Sequence, residues 1–127
     1  GRGMHDVTPQ VRQVVREARV TTGLCHLFLR HTSAGLVIQE NADANVRHDL
    51  EDWYARTAPD SDPRYRHDEE GPDDMAAHIR TSLCATSLTV PVTDGALALG
   101  TWQAIFLFEH RIRPMPRTLV VTVDGVR

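Results

Sequence analysis

Lysine is absent from this sequence, and all 14 basic residues are arginine. A mechanism through a lysine Schiff base is therefore excluded, and we interpret the arginine-only set as a mark of a GC-rich genome. Excess positive charge is absent as well, because 17 acidic residues leave a net charge of −3 with neutral histidine. Nucleic-acid-binding proteins need a basic surface, so we expect no nucleic-acid partner.

Long apolar runs are also missing. No stretch is apolar enough to span a membrane and no signal peptide is visible, so we expect no membrane partner. The only two cysteines, Cys25 and Cys84, form neither a close metal-ligand pair nor a redox motif. We predict that both are reduced and buried, which favours a cytoplasmic location.

Several common motifs are absent, namely the P-loop, GxGxxG, GxSxG and CxxC. Their absence excludes the commonest nucleotide-binding, hydrolase and zinc-ribbon sites. What remains is an ordinary globular composition, with 41% apolar and 24% charged residues in 127. This composition and length fit one domain over residues 1–127.

Helical spacing predicts three helices. The expected starts are Thr8 as an N-cap with Pro9 after it, Asn41 or Asp43 as the second cap, and Pro72 and Asp73 for the third helix. The stripes expected to face the core are Val11, Val14, Val15 and Ala18; Val46, Leu50 and Trp53; and Met75, Ile79 and Leu83. Asp49 falls beside the second stripe, near the buried side.

Alternating apolar residues predict strands over residues 24–30, 35–39, 87–92, 96–99, 101–109 and 117–124. Asp94 and Gly95 predict a tight turn, and we expect strands 96–99 and 101–109 to pair around Gly100. Both faces of strand 101–109 are apolar, so it should be buried on both sides, with Trp102 and Phe106 in the core. Without βαβ alternation, the pattern favours an α+β fold of antiparallel or mixed sheets with helices packed outside.

Four groups of polar residues are candidates for chemistry. The first is His31, Thr32 and Ser33, which follow an apolar strand and can bind an anion or substrate hydroxyls. The simpler alternative is a capped turn with a surface histidine. The second group is Glu40, Asn41 and Asp49: Asn41 can cap a helix and Glu40 can be solvated. A carboxylate beside an apolar stripe needs a partner, so Asp49 is either paired with arginine or a catalytic base or metal ligand.

The third group surrounds the start of the third helix. Asp74 and His78, one turn apart, can hold a divalent ion that His67 approaches from the loop. Three such ligands with an open position are typical of catalytic zinc, whereas the carboxylates of residues 68–70, including Glu70, would suit Mg²⁺ with waters. The alternative is a helix start enriched in acids that favour its dipole.

The fourth group is Gln103 and Glu109, on one face of a buried strand. Glu109 lies near the strand end, where it can reach a cleft. We assign the remaining histidines, His5, His26, His48 and His110, to the surface or to structural roles.

Four segments carry a family resemblance: HTSAGLVIQENAD (31–43), YRHDEEGPDDMAAHI (65–79), PVTDGALALGTWQ (91–103) and FEHR (108–111). Together they resemble the YjbQ family over nearly the whole chain, and its members are often described as secondary thiamine-phosphate synthases. The resemblance implies a β-sandwich-like α+β domain, a homotrimer with polar sites near subunit boundaries, and a further strand ahead of Gly1. Gly35 stands where serine is frequent, a departure that we expect to be harmless.

The implied activity is a weak joining of hydroxymethylpyrimidine pyrophosphate to thiazole phosphate, so the expected partner is a small phosphorylated metabolite. We expect a divalent metal, zinc or magnesium, bound by His67, Asp74 and His78. The expected catalytic residues are His31, Asp49 and Glu109, and the expected substrate-binding residues are Thr32, Ser33, Glu40, Asn41, Glu70 and Gln103. A metal-dependent phosphate-ester hydrolase and a non-catalytic phosphometabolite-binding module remain alternatives.

Overall fold

The computed structural model describes all 127 residues, Gly1–Arg127. It contains three helices and seven strands. In chain order these are β1 (Gly3–Asp6), α1 (Thr8–Ala18), β2 (Thr22–Leu29), β3 (Ala34–Glu40), α2 (Ala44–Thr57), α3 (Asp74–Ser82), β4 (Ser87–Thr93), β5 (Ala96–Leu97), β6 (Gln103–Glu109) and β7 (Leu119–Val126). No helix has both the length and the apolar character needed to cross a membrane.

The strands form two antiparallel sheets, one in the order β1-β6-β3 and the other in the order β5-β4-β2-β7. Both sheets contribute to one core, which α1 covers. Its members include Val11 and Val15 of α1, Cys25, Leu27 and Leu29 of β2, Leu36 of β3, Val90 and Val92 of β4, and Ile105 of β6. The α+β class with antiparallel sheets and three helices is therefore confirmed. The short strand β1 was not predicted from the sequence.

The turn at Asp94–Gly95 is confirmed, and it decides which strand β5 joins. Both residues have positive φ angles, 51° and 79°, as a two-residue hairpin turn requires. The chain folds back at once, and Val92 pairs with Leu97. The expected pairing around Gly100 is wrong, because β5 lies in the sheet of β4 and β6 lies in the other sheet.

The helix starts differ in how they are capped. Asp43 caps α2, since its side chain accepts a hydrogen bond from the Asn45 backbone N–H at 2.9 Å. Thr8 is not a cap. It lies inside α1, where its buried hydroxyl accepts a hydrogen bond from the backbone N–H of Ile105 at 2.8 Å. The threonine joins the helix to β6 instead of closing the helix end.

The apolar stripes predicted for α2 and α3 do not form their buried faces. No residue of α2 is buried, Trp53 is 46% exposed, and Asp49 lies on the exposed surface. In α3 the buried residues are Asp74, Ala76, Ala77 and Arg80, while Leu83 is exposed. The chain after α3 approaches β3 closely: a Cβ atom on Gly35 would lie 2.3 Å from the Cβ of Cys84.

Strand β6 is buried on both faces as predicted, with Ala104, Ile105, Phe106 and Phe108 all nearly inaccessible. The core assignment is right for Phe106 and wrong for Trp102, which is 62% exposed in the turn ahead of the strand. Both cysteines are free, as expected, but only Cys25 is fully buried.

Candidate metal centre and anion cleft

A compact group of possible metal ligands lies at the start of α3. Asp74 and His78 project from the first turns of the helix, and His67 and Glu70 belong to the loop before it. The Nε2 atoms of His67 and His78 lie 2.7 Å and 3.0 Å from the same oxygen, Oδ2 of Asp74. One ligand atom from each of the four residues lies within 4.8 Å of all the others. We call these four residues the ligand cluster.

The ring of His78 is held in one tautomer. Its Nδ1 lies 2.9 Å from the carbonyl oxygen of Thr32, and only a protonated Nδ1 can donate a hydrogen bond to that oxygen. In a neutral ring Nε2 then carries a lone pair, which faces the lone pairs of Asp74 Oδ2. Two acceptors in contact need a cation between them, either a ring proton or a metal ion. A histidine anchored through Nδ1 to a carbonyl is a common arrangement among metal ligands.

The carboxylate of Asp74 is the centre of the cluster and is only 2% exposed. Burial acts to raise its pKa, but the hydrogen bond from His67 and the nearby charges of His78 and Arg111 leave the pKa below its usual value. In turn, the hydrogen bond to Asp74 raises the pKa of His67. The cluster therefore keeps a buried negative charge that attracts a cation.

Arg111, just after the end of β6, forms hydrogen bonds with the loop and the helix start that hold the ligand cluster. Its guanidinium donates hydrogen bonds to Asp74 Oδ1 at 2.5 Å, to Asp73 Oδ2 at 3.0 Å and to the carbonyl oxygen of Glu70 at 3.1 Å. A single arginine thus ties the loop and the helix start together.

An open cleft of about 750 Å³ begins at His78. No carboxylate lines this cleft, although the whole chain is acidic. Its polar lining consists of two arginines, two histidines and five hydroxyl side chains: Arg30, Arg117, His31, His78, Thr32, Ser33, Thr81, Ser82 and Thr86. Such a lining suits an anion, and Phe28, Leu29 and Met115 add an apolar wall. We call this feature the anion cleft.

His31 is a neutral donor in the anion cleft. The backbone N–H of Thr118 donates to its Nε2 at 2.7 Å, so the ring proton of the neutral form sits on Nδ1. Partial burial, then the charges of Arg117 and Arg30, lower the pKa of His31. Neutral at physiological pH, the ring can donate one hydrogen bond to a bound anion.

Glu109 is buried beside the anion cleft and is paired with Arg117. The guanidinium reaches both carboxylate oxygens, with Nε to Oε1 at 2.7 Å and a terminal nitrogen to Oε2 at 2.5 Å. Burial acts to raise the pKa of Glu109, but the hydrogen bonds from Arg117 hold it below its usual value. The geometry makes Glu109 a fixed anion that orients Arg117 rather than a free base.

The comparison with known proteins identifies the family. A family model described as "UPF0047 protein YjbQ-like" matches residues 1–126. The chain belongs to the YjbQ family. A UPF0047 protein of Synechocystis sp. is 50% identical over 98% of this chain and 85% of the relative. The YjbQ protein of Escherichia coli O157:H7 is 48% identical over 98% of this chain and 90% of its own length.

Solved YjbQ-type structures share the fold. A crystal structure of an uncharacterized yjbQ/UPF0047 family protein from Clostridium acetobutylicum matches with a TM-score of 0.87 at 34% identity, over 95% of this chain and 90% of the other. A conserved hypothetical protein from Thermus thermophilus matches with a TM-score of 0.86 at 35% identity, over 96% and 91% of the two chains. The resemblance inferred from the sequence motifs is thus confirmed, and these names state neither a substrate nor a reaction.

The YjbQ fold does not bring all the predicted site residues together within one chain. Glu40 pairs with Gln103 at one end of the β3–β6 ladder, and Ala34 pairs with Glu109 at the other. The length of the strand separates the two ends, a span of about 20 Å. Glu40 and Gln103 accept hydrogen bonds from the backbone N–H groups of Asp43 and Gly100, and therefore stabilise turns.

Asp49 was expected beside a buried stripe and needing a partner, and this expectation is wrong. It is exposed on α2, and its side chain forms no hydrogen bond or ion pair with any residue of the chain. The physical reason is that α2 buries none of its residues against the rest of the chain.

The sequence suggested that arginines near residues 31–33 would help to neutralise phosphate charge, but it identified none of the arginines of this YjbQ site. Arg30 and Arg117 line the anion cleft, and Arg111 supports the ligand cluster. The FEHR segment contains Arg111 shortly after Glu109, which was a usable signal. Arg117 had none, because its partners lie in other elements. His110 is completely buried, its Nδ1 has no hydrogen-bond partner, and burial lowers its pKa to about 3.

Proposed function

We propose that the chain is a metal-dependent enzyme that acts on a small phosphorylated metabolite. The observation that carries the proposal is the contact between Asp74 Oδ2 and the imidazole nitrogens of His67 and His78. The Nδ1–H of His78 is committed to Thr32, so the arrangement is completed by a cation. The ligand cluster opens beside a cleft whose arginines and hydroxyls suit phosphate, and an anion bound there would lie next to the ion.

The ion would be zinc or magnesium, and it would supply positive charge to a phosphate oxygen of the bound metabolite. The chain's own residues divide the remaining work. Arg30, Arg117 and the Nδ1–H of His31 bind and orient the anion, and Glu109 fixes the direction of Arg117. Catalysis of this kind rests on positioning and on stabilising the departing phosphate, and needs no protein nucleophile.

The first reaction to test is the one that the family resemblance names, the joining of hydroxymethylpyrimidine pyrophosphate to thiazole phosphate. In this reaction a bond forms between the thiazole nitrogen and the pyrimidine methylene carbon, and pyrophosphate leaves with the electron pair of the broken C–O bond. The anion cleft has the polar lining that a leaving pyrophosphate requires, and the apolar wall at Phe28 and Met115 would accept a ring.

Hydrolysis of a phosphate ester is the second candidate, with water as the acceptor in place of the thiazole. One observation favours it: the anion cleft is open, so water has free access to a bound ester. Neither Asp49 nor Glu109 is a free carboxylate in the cleft, so neither reaction would have a carboxylate base there.

Metal content is the first test. Untagged protein would be analysed by mass spectrometry, alone and after incubation with Zn²⁺ or Mg²⁺, as the wild type and as His67→Ala and His78→Ala. His48→Ala is a matched control, since His48 is exposed and forms no contact with the cluster. We expect near-stoichiometric metal in the wild type and the control, and its loss in both cluster variants. A metal-free wild type under all these conditions would remove the proposal.

Product analysis separates the reactions. The pyrimidine pyrophosphate would be incubated with the protein, with and without thiazole phosphate. Thiamine phosphate that forms only when both substrates are present supports the transferase. Hydrolysis of the pyrimidine pyrophosphate in the absence of thiazole phosphate supports the hydrolase. Binding in a thermal-shift assay without any product would indicate a non-catalytic binding module.

The family resemblance further leads us to propose a homotrimer, in a cytoplasmic setting that suits two free thiols. Exposed apolar side chains support an assembly: Leu24 and Phe28 on β2, Val120 on β7, and Trp53 on α2 are each more than 40% exposed. Light scattering on the eluting protein would give the mass directly, and a monomer at micromolar concentration would contradict the proposal.

A further inference from the structure

One arginine determines how Asp74 can meet a cation. Oδ1 of Asp74 accepts a hydrogen bond from the guanidinium of Arg111 at 2.5 Å, while Oδ2 faces the nitrogens of His67 and His78. The residue is 2% exposed, so water has little access to compete for Oδ1. Only one oxygen of Asp74 is therefore free to bind an ion.

The position of Arg111 is itself fixed. Its Nε donates to Oδ2 of Asp73 at 3.0 Å, and the same oxygen accepts the backbone N–H of Ile112 at 2.8 Å. A third donor of the guanidinium reaches the carbonyl oxygen of Glu70 at 3.1 Å. Three hydrogen bonds from a planar group leave it little freedom to turn away from Asp74.

The number of available oxygens discriminates between cations. Calcium takes six to eight oxygen ligands and commonly uses both oxygens of a carboxylate, and magnesium requires an octahedral shell of oxygens. Zinc accepts four ligands and readily combines imidazole nitrogen with a carboxylate oxygen. A cluster that offers two imidazoles and one oxygen of Asp74, with the fourth position left to Glu70 or to the bound anion, matches the zinc class.

We propose that Arg111 is a positioning residue that restricts Asp74 to one ligand oxygen, and that it thereby favours a zinc-class ion over calcium. This inference rests on the proposed function, because it assumes that the ligand cluster binds a metal. It adds the class of ion and the residue that sets the class.

The test measures metal affinity directly, without an activity assay. Binding of Zn²⁺, Mg²⁺ and Ca²⁺ would be measured by calorimetry on metal-free wild type, Arg111→Gln and Arg111→Lys. Arg113→Gln is the matched control, because Arg113 is exposed and its side chain forms no hydrogen bond or ion pair. Thermal unfolding of each metal-free protein would report the integrity of the fold. Arg111→Lys keeps the charge but not the planar fork, so it serves if the glutamine variant does not fold.

We expect the wild type and the control to prefer Zn²⁺ strongly. Each Arg111 variant should bind Zn²⁺ about 10–100-fold more weakly, the usual effect of removing a group that orients a metal ligand. Its preference for Zn²⁺ over Ca²⁺ should also shrink, a change that a purely structural role would not produce. Absorption of the Co²⁺-substituted protein should lose intensity in the variants as the site departs from four-coordination.

Two results would overturn the inference, and they are distinguishable. In the first result, the wild type binds Zn²⁺ and the Arg111 variants fold with the same affinity, the same ion preference and the same Co²⁺ spectrum. This result would remove the role of Arg111 and leave the metal site intact. Wild type that binds none of the three ions would remove both the inference and the proposed function.

Discussion

Glu109 and Arg117 bury opposite charges together, with side chains only 6% and 8% exposed. Removal of one partner from such a pair leaves the other charge in a poorly solvated site. We therefore expect Glu109→Gln to lower the free energy of unfolding by about 3 kcal/mol. Urea denaturation at neutral pH measures the change.

The control for this substitution is Asp124→Asn, which removes an exposed carboxylate that has no hydrogen-bond partner. Its effect should stay within about 0.5 kcal/mol, as for most surface changes. An equally small effect of Glu109→Gln would mean that Arg117 finds solvent or another acceptor, and the pair would not be a structural anchor of the anion cleft.

Glu109 also has a predictable effect on pH dependence. Its pKa is lowered in the folded chain, so its contribution to stability is complete above the unfolded value of about 4.3 and is lost as the pH falls through the folded value. Below pH ~4.3 the wild type should therefore lose stability more steeply than Glu109→Gln. Urea titrations at a series of acidic pH values compare the slopes, and identical slopes would show that Glu109 has an unperturbed pKa.

At the scale of the elements, β3 and the chain just after α3 approach each other closely. A Cβ atom on Gly35 would lie 2.3 Å from the Cβ and 3.1 Å from the Sγ of Cys84. Glycine at position 35 therefore fits this packing, and a larger residue there would not. We predict that Gly35→Ala lowers the unfolding free energy by about 1–3 kcal/mol, because one segment must shift away from the other.

A second substitution makes this prediction specific. Cys84→Gly removes the opposing Cβ, so adding it to Gly35→Ala should recover part of the loss. Gly100→Ala is a control, since its added methyl group meets only the flexible side chain of Gln103, at 3.2 Å. If Gly35→Ala were as stable as the wild type, the packing of Cys84 on β3 would not depend on the glycine.

The same elements mark what sequence patterns can and cannot predict. The turn at Asp94–Gly95 and the doubly buried strand β6 were predictable because local backbone preference and alternation determine them. The buried faces of α2 and α3 were not predictable from apolar spacing. Ala76 and Ala77 are buried because α3 packs on a neighbouring strand. Trp53 remains 46% exposed, with its ring packed edge-on against Tyr54.

The candidate site was predictable to the extent that its residues are near in sequence. Asp74 and His78 lie one helical turn apart, and the structure brings them together with His67 as predicted. The roles of Arg111 and Arg117 depend on contacts between distant elements, which spacing does not reveal.

For the whole molecule, the important fact is that the predicted site residues form two groups in one chain. His31, His67 and His78 surround the anion cleft and the ligand cluster, while Glu40, Asn41 and Gln103 lie at the far end of the β3–β6 ladder. In a homotrimer with sites at subunit boundaries, the second group would complete the site of a neighbour. The side chain of Asn41 forms no hydrogen bond within its own chain, which leaves it free for this purpose.

Shared sites predict complementation between inactive variants. If the chain forms the proposed homotrimer, the Asn41→Ala and His78→Ala variants should each lose activity towards the substrate identified by product analysis. The two variants would be mixed in equal amounts, unfolded together and refolded. About a quarter of the sites should then combine an intact His78 from one chain with an intact Asn41 from its neighbour, and these sites should regain activity. Separately refolded samples that are mixed afterwards are the control. Full activity of the Asn41→Ala variant alone would contradict a catalytic role for the group of Glu40, Asn41 and Gln103. A refolded mixture that is no more active than the separate variants would mean that each chain holds a complete site.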